Sequence, residues 1–323
     1  MKPLFKFTLN LATTAAAATL ATQTALAHEV YVLTPQEFST GLTAERFGFF
    51  KTLLAPGNIG TVVLAMLVGV ALIVASLVLG RTPKVKQLIS KLGGLQKISL
   101  KLVAISLGAL FFLGGISGYF LGSEIAVSSL PLWPVIRVIM VAGGLMLISG
   151  LYTEVAAIAL LACVLVAGVV QGHYLLTYAA PIAGLIYFGL SGAKKRLTFV
   201  LRVGLGLALV YTAATIKLSH PEVLVTVVNK YNLTQFNHLF PPDSHLIAYG
   251  AGLAELALGI FLIVGFQVRL AVLVSLFVMT LSVAFFRETV VPHLVLYTAS
   301  LFLMTADDKH SLDNWIRKLP EQQ

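Results

Sequence analysis

Glu255 lies in the stretch AELALGIFLIVGFQVRLAVL (254–273), whose composition is otherwise that of a lipid-soluble segment, and Arg269 follows a Gly-Phe-Gln break in the same stretch. An ionised side chain at the bilayer centre costs about 2.5–3.5 kcal/mol on insertion scales, so Glu255 must be protonated, paired or turned toward a wet cavity. Arg202 and Lys217 sit at the two ends of one apolar run, and Arg137 lies in another. Long basic side chains near span ends snorkel outward, which makes Arg202 or Arg137 the expected partner rather than Lys217. Such a carboxylate either fixes helix register as half of an ion pair or serves a bound ligand or a proton. Arg269, at a turn, reads as a loop anchor.

Histidine offers a second chemistry. His28, His173, His220, His238, His245 and His293 fall in or beside loops on one side of the expected topology, and His310 falls on the other. Neutral imidazole is a common ligand for copper and zinc. No His-x-x-x-His spacing pre-forms a site, but His28 as a first mature residue would present its amine and imidazole together. Cys163 is alone, which excludes a disulfide framework and a CxxC pair.

The elements that must position these groups are membrane helices. The chain has 323 residues, 58% hydrophobic and 11% charged, with a mean hydropathy of +0.93. A soluble domain carries roughly 25% charged residues. The fold class is therefore an all-α polytopic membrane protein, with nine apolar runs near 59–80, 99–119, 132–151, 155–172, 174–192, 199–217, 246–265, 269–286 and 291–306. The net charge of +9 does not indicate nucleic acid, because most basic residues lie in short loops and act as topology signals.

The first 27 residues, with Lys2, Lys6, an Ala-rich middle and Ala25-Leu26-Ala27, have the layout of a secretory signal. Residues 28–58 follow as a periplasmic segment, in which Thr34-Pro35-Gln36-Glu37 predicts a capped helix start. With the mature N-terminus outside, the loops bearing Lys84, Lys86, Lys91, Lys194 and Lys195 lie inside a bacterial-type inner membrane, as does the tail at 316–323. The connection 218–245, with Pro221, Pro241 and Pro242, predicts a lid on the outer face.

The stretch GLMLISGLYTEVAAIAL (144–160) aligns with GIFLIVGFQVRLAVLVS (259–275), pairing Gly144 with Gly259 and Gly150 with Gly265. Each unit would hold four helices, giving two four-helix bundles as parallel repeats, 98–195 and 196–315, behind a leading helix at 59–80.

Arg202 in LRVGLGL, Lys217, Glu255 with Gly259 and Gly265, Arg269, and Ser311-Leu312-Asp313 together resemble the DoxX family of bacterial four-helix membrane proteins. The resemblance covers about 196–315. In the first unit only the scaffold carries over, since Met140 stands where Glu255 stands and Glu154 replaces Arg269. The resemblance implies a membrane subunit associated with a redox system, working with a periplasmic redox protein and in contact with quinone. The sequence itself supplies no haem ligand pair, flavin motif or CxxC. Two other readings stay open: a metal-handling membrane protein using the outer histidines, and a small-molecule transporter, for which parallel repeats with a mid-membrane carboxylate are suited.

Overall fold

The computed structural model describes residues 33–44, 48–80, 82–190, 198–236, 243–286 and 293–306, together with Leu312. The expected signal at 1–27, and with it His28, His238, Ser311 and Asp313, lies outside the described residues.

Among the described residues, every expected span is largely helical. In chain order the helices are α1 (Pro35–Thr43), α2 (Phe49–Leu53), α3 (Pro56–Leu79), α4 (Pro83–Gly93), α5 (Gln96–Ser117), α6 (Trp133–Ser149), α7 (Thr153–Gln171), α8 (Ala179–Gly189), α9 (Thr198–Thr212), α10 (Pro221–Lys230), α11 (Ser244–Val264), α12 (Val268–Phe286) and α13 (Leu294–Thr305). α1 begins where its capping box predicts: Thr34 Oγ1 accepts from the Glu37 N–H, and the Glu37 carboxylate accepts from the Thr34 N–H. A hairpin that no residue pattern announced follows α5, with strands β1 (Tyr119–Phe120) and β2 (Gly122–Ala126). Five helical stretches are long and apolar enough to cross a membrane, and shorter apolar helices complete the multi-pass architecture.

The spanning helices close into two rings. In the first, α5 packs on α6, α6 on α7, α7 on α8, and α8 back on α5. In the second, α9 packs on α11, α11 on α12, α12 on α13, and α13 back on α9. The rings meet where α8 packs on α9 and α13 on α5, with α8 also touching α13. At this seam Tyr187 and Phe302 stack edge to face, 5.8 Å between centroids.

Lipid tails are as apolar as leucine, so helices in a bilayer associate through close packing rather than hydrophobic burial. Both rings are built that way. A Cβ on Gly108 of α5 would lie 2.6 Å from the Gly144 carbonyl oxygen of α6, and one on Gly206 of α9 would lie 2.7 Å from the Gly259 carbonyl oxygen of α11. α6 and α11 also end alike. Gly150 and Gly265 take φ of 75° and 78°, and two residues later Tyr152 and Gln267 take φ of 50° and 48°. The αL glycine releases the chain from each helix without a Cβ penalty.

α3 stands apart from both rings and is mostly exposed beyond the buried Asn58; Ser76 Oγ donates to Gln267 Oε1 at 2.6 Å. α10 packs on α11 at one end of the bundle, and α1 packs on α10 through Leu33, Val223 and Val227. The expected lid at 218–245 is thus partly a helix, with a buried valine face.

Candidate functional site

The site gathers around α9. After Thr212 the helix widens into a π-helical segment, Ala213–Leu218. In an α-helix, residues five apart lie about 140° apart around the axis. The i→i+5 bonding of a π turn brings them toward one side. Thr212 and Lys217 are five apart, and both reach Glu255 of α11. Thr212 Oγ1 donates to Glu255 Oε1 at 2.9 Å, and Lys217 Nζ lies 2.5 Å from Glu255 Oε2. The Lys217 and Glu255 side chains are 20% and 17% exposed. This ion pair reverses the expectation that Lys217 snorkels away: the π turn aims it inward, under the end covered by α10.

Arg202 and Arg137, the expected partners of Glu255, do other work. Arg202 is 3% exposed, and its Nη1 donates to the carbonyl oxygens of Leu262 and, at 2.7 Å, Ile263. These are carbonyls of the last turn of α11, at the negative end of the helix dipole; the Leu262 oxygen also accepts from the Gly265 N–H at 3.2 Å. Arg137 does the same for α5: its Nε donates to Gly115 O and its Nη2 to Ile116 O, both at 2.7 Å. Arg269, at the start of α12, donates from Nε to Met304 O at 3.3 Å, which fits its expected anchoring role. The expected polar set therefore divides into one ion pair, two helix caps and one anchor.

On another face of α9 lies a cavity of about 500 Å³. Ile182 and Ile186 of α8 and Phe199, Val203 and Leu207 of α9 form its walls, and His173, in the 3-10 turn Gly172–Tyr178, lies at one end. His173 Nδ1 and the Tyr211 hydroxyl are 2.8 Å apart, a hydrogen bond in either tautomer. Tyr211 immediately precedes Thr212, so α9 presents a long apolar groove, a His–Tyr pair and the Lys–Glu pair within a few turns.

The other histidines are placed separately. His220 Nδ1 lies 3.0 Å from Thr215 O. His245 Nε2 lies 3.0 Å from Glu222 Oε1, and its Nδ1 3.3 Å from Asp243 Oδ1. His293 is buried at the start of α13. No three His, Cys, Asp or Glu side chains form a metal-holding group among the described residues. Beyond the bilayer helices, Lys230 of α10 donates to the Glu37 carboxylate of α1 at 2.9 Å, which holds that carboxyl below its ordinary value.

Thr212, Tyr211 and the groove escaped sequence reading. At α-helical spacing Thr212 and Lys217 point apart, and nothing in the composition of 213–218 announces a π turn.

The DoxX family model matches residues 197–288. That range holds α9, the π segment, α10, α11 and α12, and it stops before α13 and before Ser311-Leu312-Asp313. No curated protein and no solved structure matches the chain. Residues 197–288, which hold Arg202, Lys217, Glu255 and Arg269, are thus similar to a DoxX domain, within a multi-pass membrane protein.

Proposed function

We propose that this protein is an inner-membrane subunit of a redox system, that it contacts quinone, and that it works with a periplasmic redox protein at the face bearing α1 and α10. The observation that carries this reading is the groove between α8 and α9. Its lining is apolar apart from His173, whose Nδ1 is hydrogen-bonded to the Tyr211 hydroxyl, and an apolar wall with one such polar group suits a prenyl chain and a carbonyl-bearing ring. Pockets for such molecules are mostly apolar with a few placed polar groups. His173 and Tyr211 would hold the ring oxygens by hydrogen bonds, and Leu207, Val203 and Phe199 would hold the chain. A bound quinone supplies a carrier of electrons and protons together.

Lys217 and Glu255 form an ion pair beneath the α10 cover, within two turns of Tyr211 along α9. Intramembrane ionisable pairs of this kind mark proton or ligand pathways. Thr212 keeps Glu255 oriented through its hydroxyl. We also read the two rings as copies of one four-helix unit related by an approximate twofold, because their glycine contacts, αL helix ends and seam correspond element by element.

Extraction of lipid-soluble cofactors from protein purified out of native membranes tests the reading. Quinone near one equivalent in the wild type, and much less in Leu207→Trp, which fills the groove, is the expected result. Quinone at the background level of the surrounding lipid in both would refute it.

A further inference from the structure

α4 is too short to cross a bilayer. Its 11 residues span about 16 Å at 1.5 Å per residue, against a hydrocarbon core of about 30 Å. It joins the end of α3 near Gln267 to the start of α5, where the Ser99 and Thr305 hydroxyls meet at 2.8 Å, so both of its ends are tied to one end of the bundle. At about 100° per residue, Val85, Leu88, Ile89 and Leu92 share an arc of about 100°, with Lys86 on one flank and Lys84 and Lys91 on the other. Val85, Ile89 and Leu92 are half-buried and Leu88 is 56% exposed. Beyond the turn, Leu95 and Ile98 are exposed as well, beside Lys97 and Lys101.

Five exposed lysines thus surround an exposed apolar strip at one end of a membrane bundle. The sequence contains no Asp or Glu between Glu45 and Glu124, so no carboxylate on this segment neutralises them. A topology signal requires only that lysines lie on the correct side of the membrane. It does not require them to flank an apolar stripe on a helix lying across the end of the bundle, which is the pattern of a helix seated in the headgroup layer.

We propose that α4 and the first turns of α5 form a docking surface for anionic phospholipid headgroups of the adjacent leaflet. Leu88, Leu95 and Ile98 enter the acyl boundary, and Lys84, Lys86, Lys91, Lys97 and Lys101 engage phosphates. A lysine near an anionic surface favours binding by about fivefold, and screening by salt weakens the effect.

The test uses the full chain in nanodiscs of phosphatidylcholine with a minority of phosphatidylglycerol. Lipids retained on the purified protein are counted by mass spectrometry, and amide exchange is followed over 83–93. Phosphatidylglycerol should be enriched at least tenfold over its bulk fraction. The enrichment should fall several-fold in about 1 M salt, where the screening length is about 3 Å. The amides of α4 should be more protected when phosphatidylglycerol is present. Lys84→Gln/Lys86→Gln/Lys91→Gln should abolish the enrichment, whereas Lys230→Gln at the far end should not. Enrichment that is absent, indifferent to salt or unchanged in the triple variant overturns the proposal, as does α4 protection that appears only on adding an acidic soluble protein. The salt series on the wild type decides the matter even if the triple variant is poorly produced.

Discussion

In the first ring α5 stops at Gly118, with φ of 83°, and the chain turns into a hairpin; in the second ring α9 continues through a π segment to Leu218. Aligning the glycine contacts of the two rings places Gly114 opposite Thr212 and Met140 opposite Glu255. The contact is kept and its chemistry is changed. A Cβ on Gly114 would lie 3.2 Å from Met140 Cε, where the second ring has a hydroxyl and a carboxylate hydrogen-bonded at 2.9 Å. Met140 is fully buried and its ring is closed without any ionised group at that position. A four-helix ring of this form therefore does not need the Lys–Glu pair in order to pack. Each ring does use an arginine to satisfy the last carbonyls of one helix, Arg137 for α5 and Arg202 for α11. The comparison separates two kinds of charge: arginines that serve the scaffold, and a carboxylate–ammonium pair that the scaffold can do without.

The largest expected effect tests what the rings share. Gly144→Val and Gly259→Val each drive a side chain into the facing helix backbone, and each should cost about 3 kcal/mol or more. Folded protein recovered in detergent should fall steeply for both. Tolerance of one and not the other would break the correspondence between the rings.

Exchanging the differing position comes next. Met140→Glu buries a carboxylate without a lysine and should cost about 3 kcal/mol. Lys217→Met/Glu255→Met should leave thermal stability within about 1 kcal/mol of wild type, because a buried pair removed together is often near-neutral. Glu255→Gln alone should fall between these, since the stranded Lys217 can shed its proton in a way that an arginine cannot. A double variant as unstable as Met140→Glu would make the pair structural after all.

Arg202→Met removes the guanidinium from the Ile263 carbonyl and leaves the Leu262 carbonyl with only the Gly265 N–H, and it should lower stability by about 2 kcal/mol. Arg137→Met, at a more exposed position, should cost about 1 kcal/mol, with both read from melting curves. The smallest effect lies outside the rings, at the Glu37–Lys230 pair. Because the folded carboxyl sits below its ordinary value of 4.5, the stability it lends is fully present above that value. It is lost as pH falls through the lowered folded value. Limited proteolysis within 33–44 should therefore accelerate in acid, and Lys230→Met should weaken that pH dependence, leaving the part that the Thr34 hydrogen bonds supply.

Much of this scaffold was legible in the residues. Apolar runs marked every spanning helix, the capping box marked the start of α1, and Gly144, Gly150, Gly259 and Gly265 marked the equivalent packing and turn positions. The partner of Glu255 was not legible, because the rule that lysines snorkel outward treats a helix as a straight α-helix ending in water. Here a π turn redirects Lys217, and α10 covers that end. The His173–Tyr211 contact joins residues 38 apart across a 3-10 turn, and no periodicity connects them. The hairpin at β1 and β2 is too short for an alternating pattern to show. Arg202 looked like a counter-ion because the need of a helix C-terminus for donors leaves no mark in sequence at the donor.

The proposed quinone site lies along α9, in the half of the molecule that keeps the Lys–Glu pair. A photoactivatable quinone, crosslinked to the protein in native membrane vesicles and mapped by peptide mass spectrometry, tests it most directly. Label is expected to concentrate on 173–186 and 199–211, to be displaced by unlabelled quinone and to be lost in Leu207→Trp. Label spread evenly over the lipid-facing helices, α3 included, and indifferent both to competitor and to Leu207→Trp would contradict it.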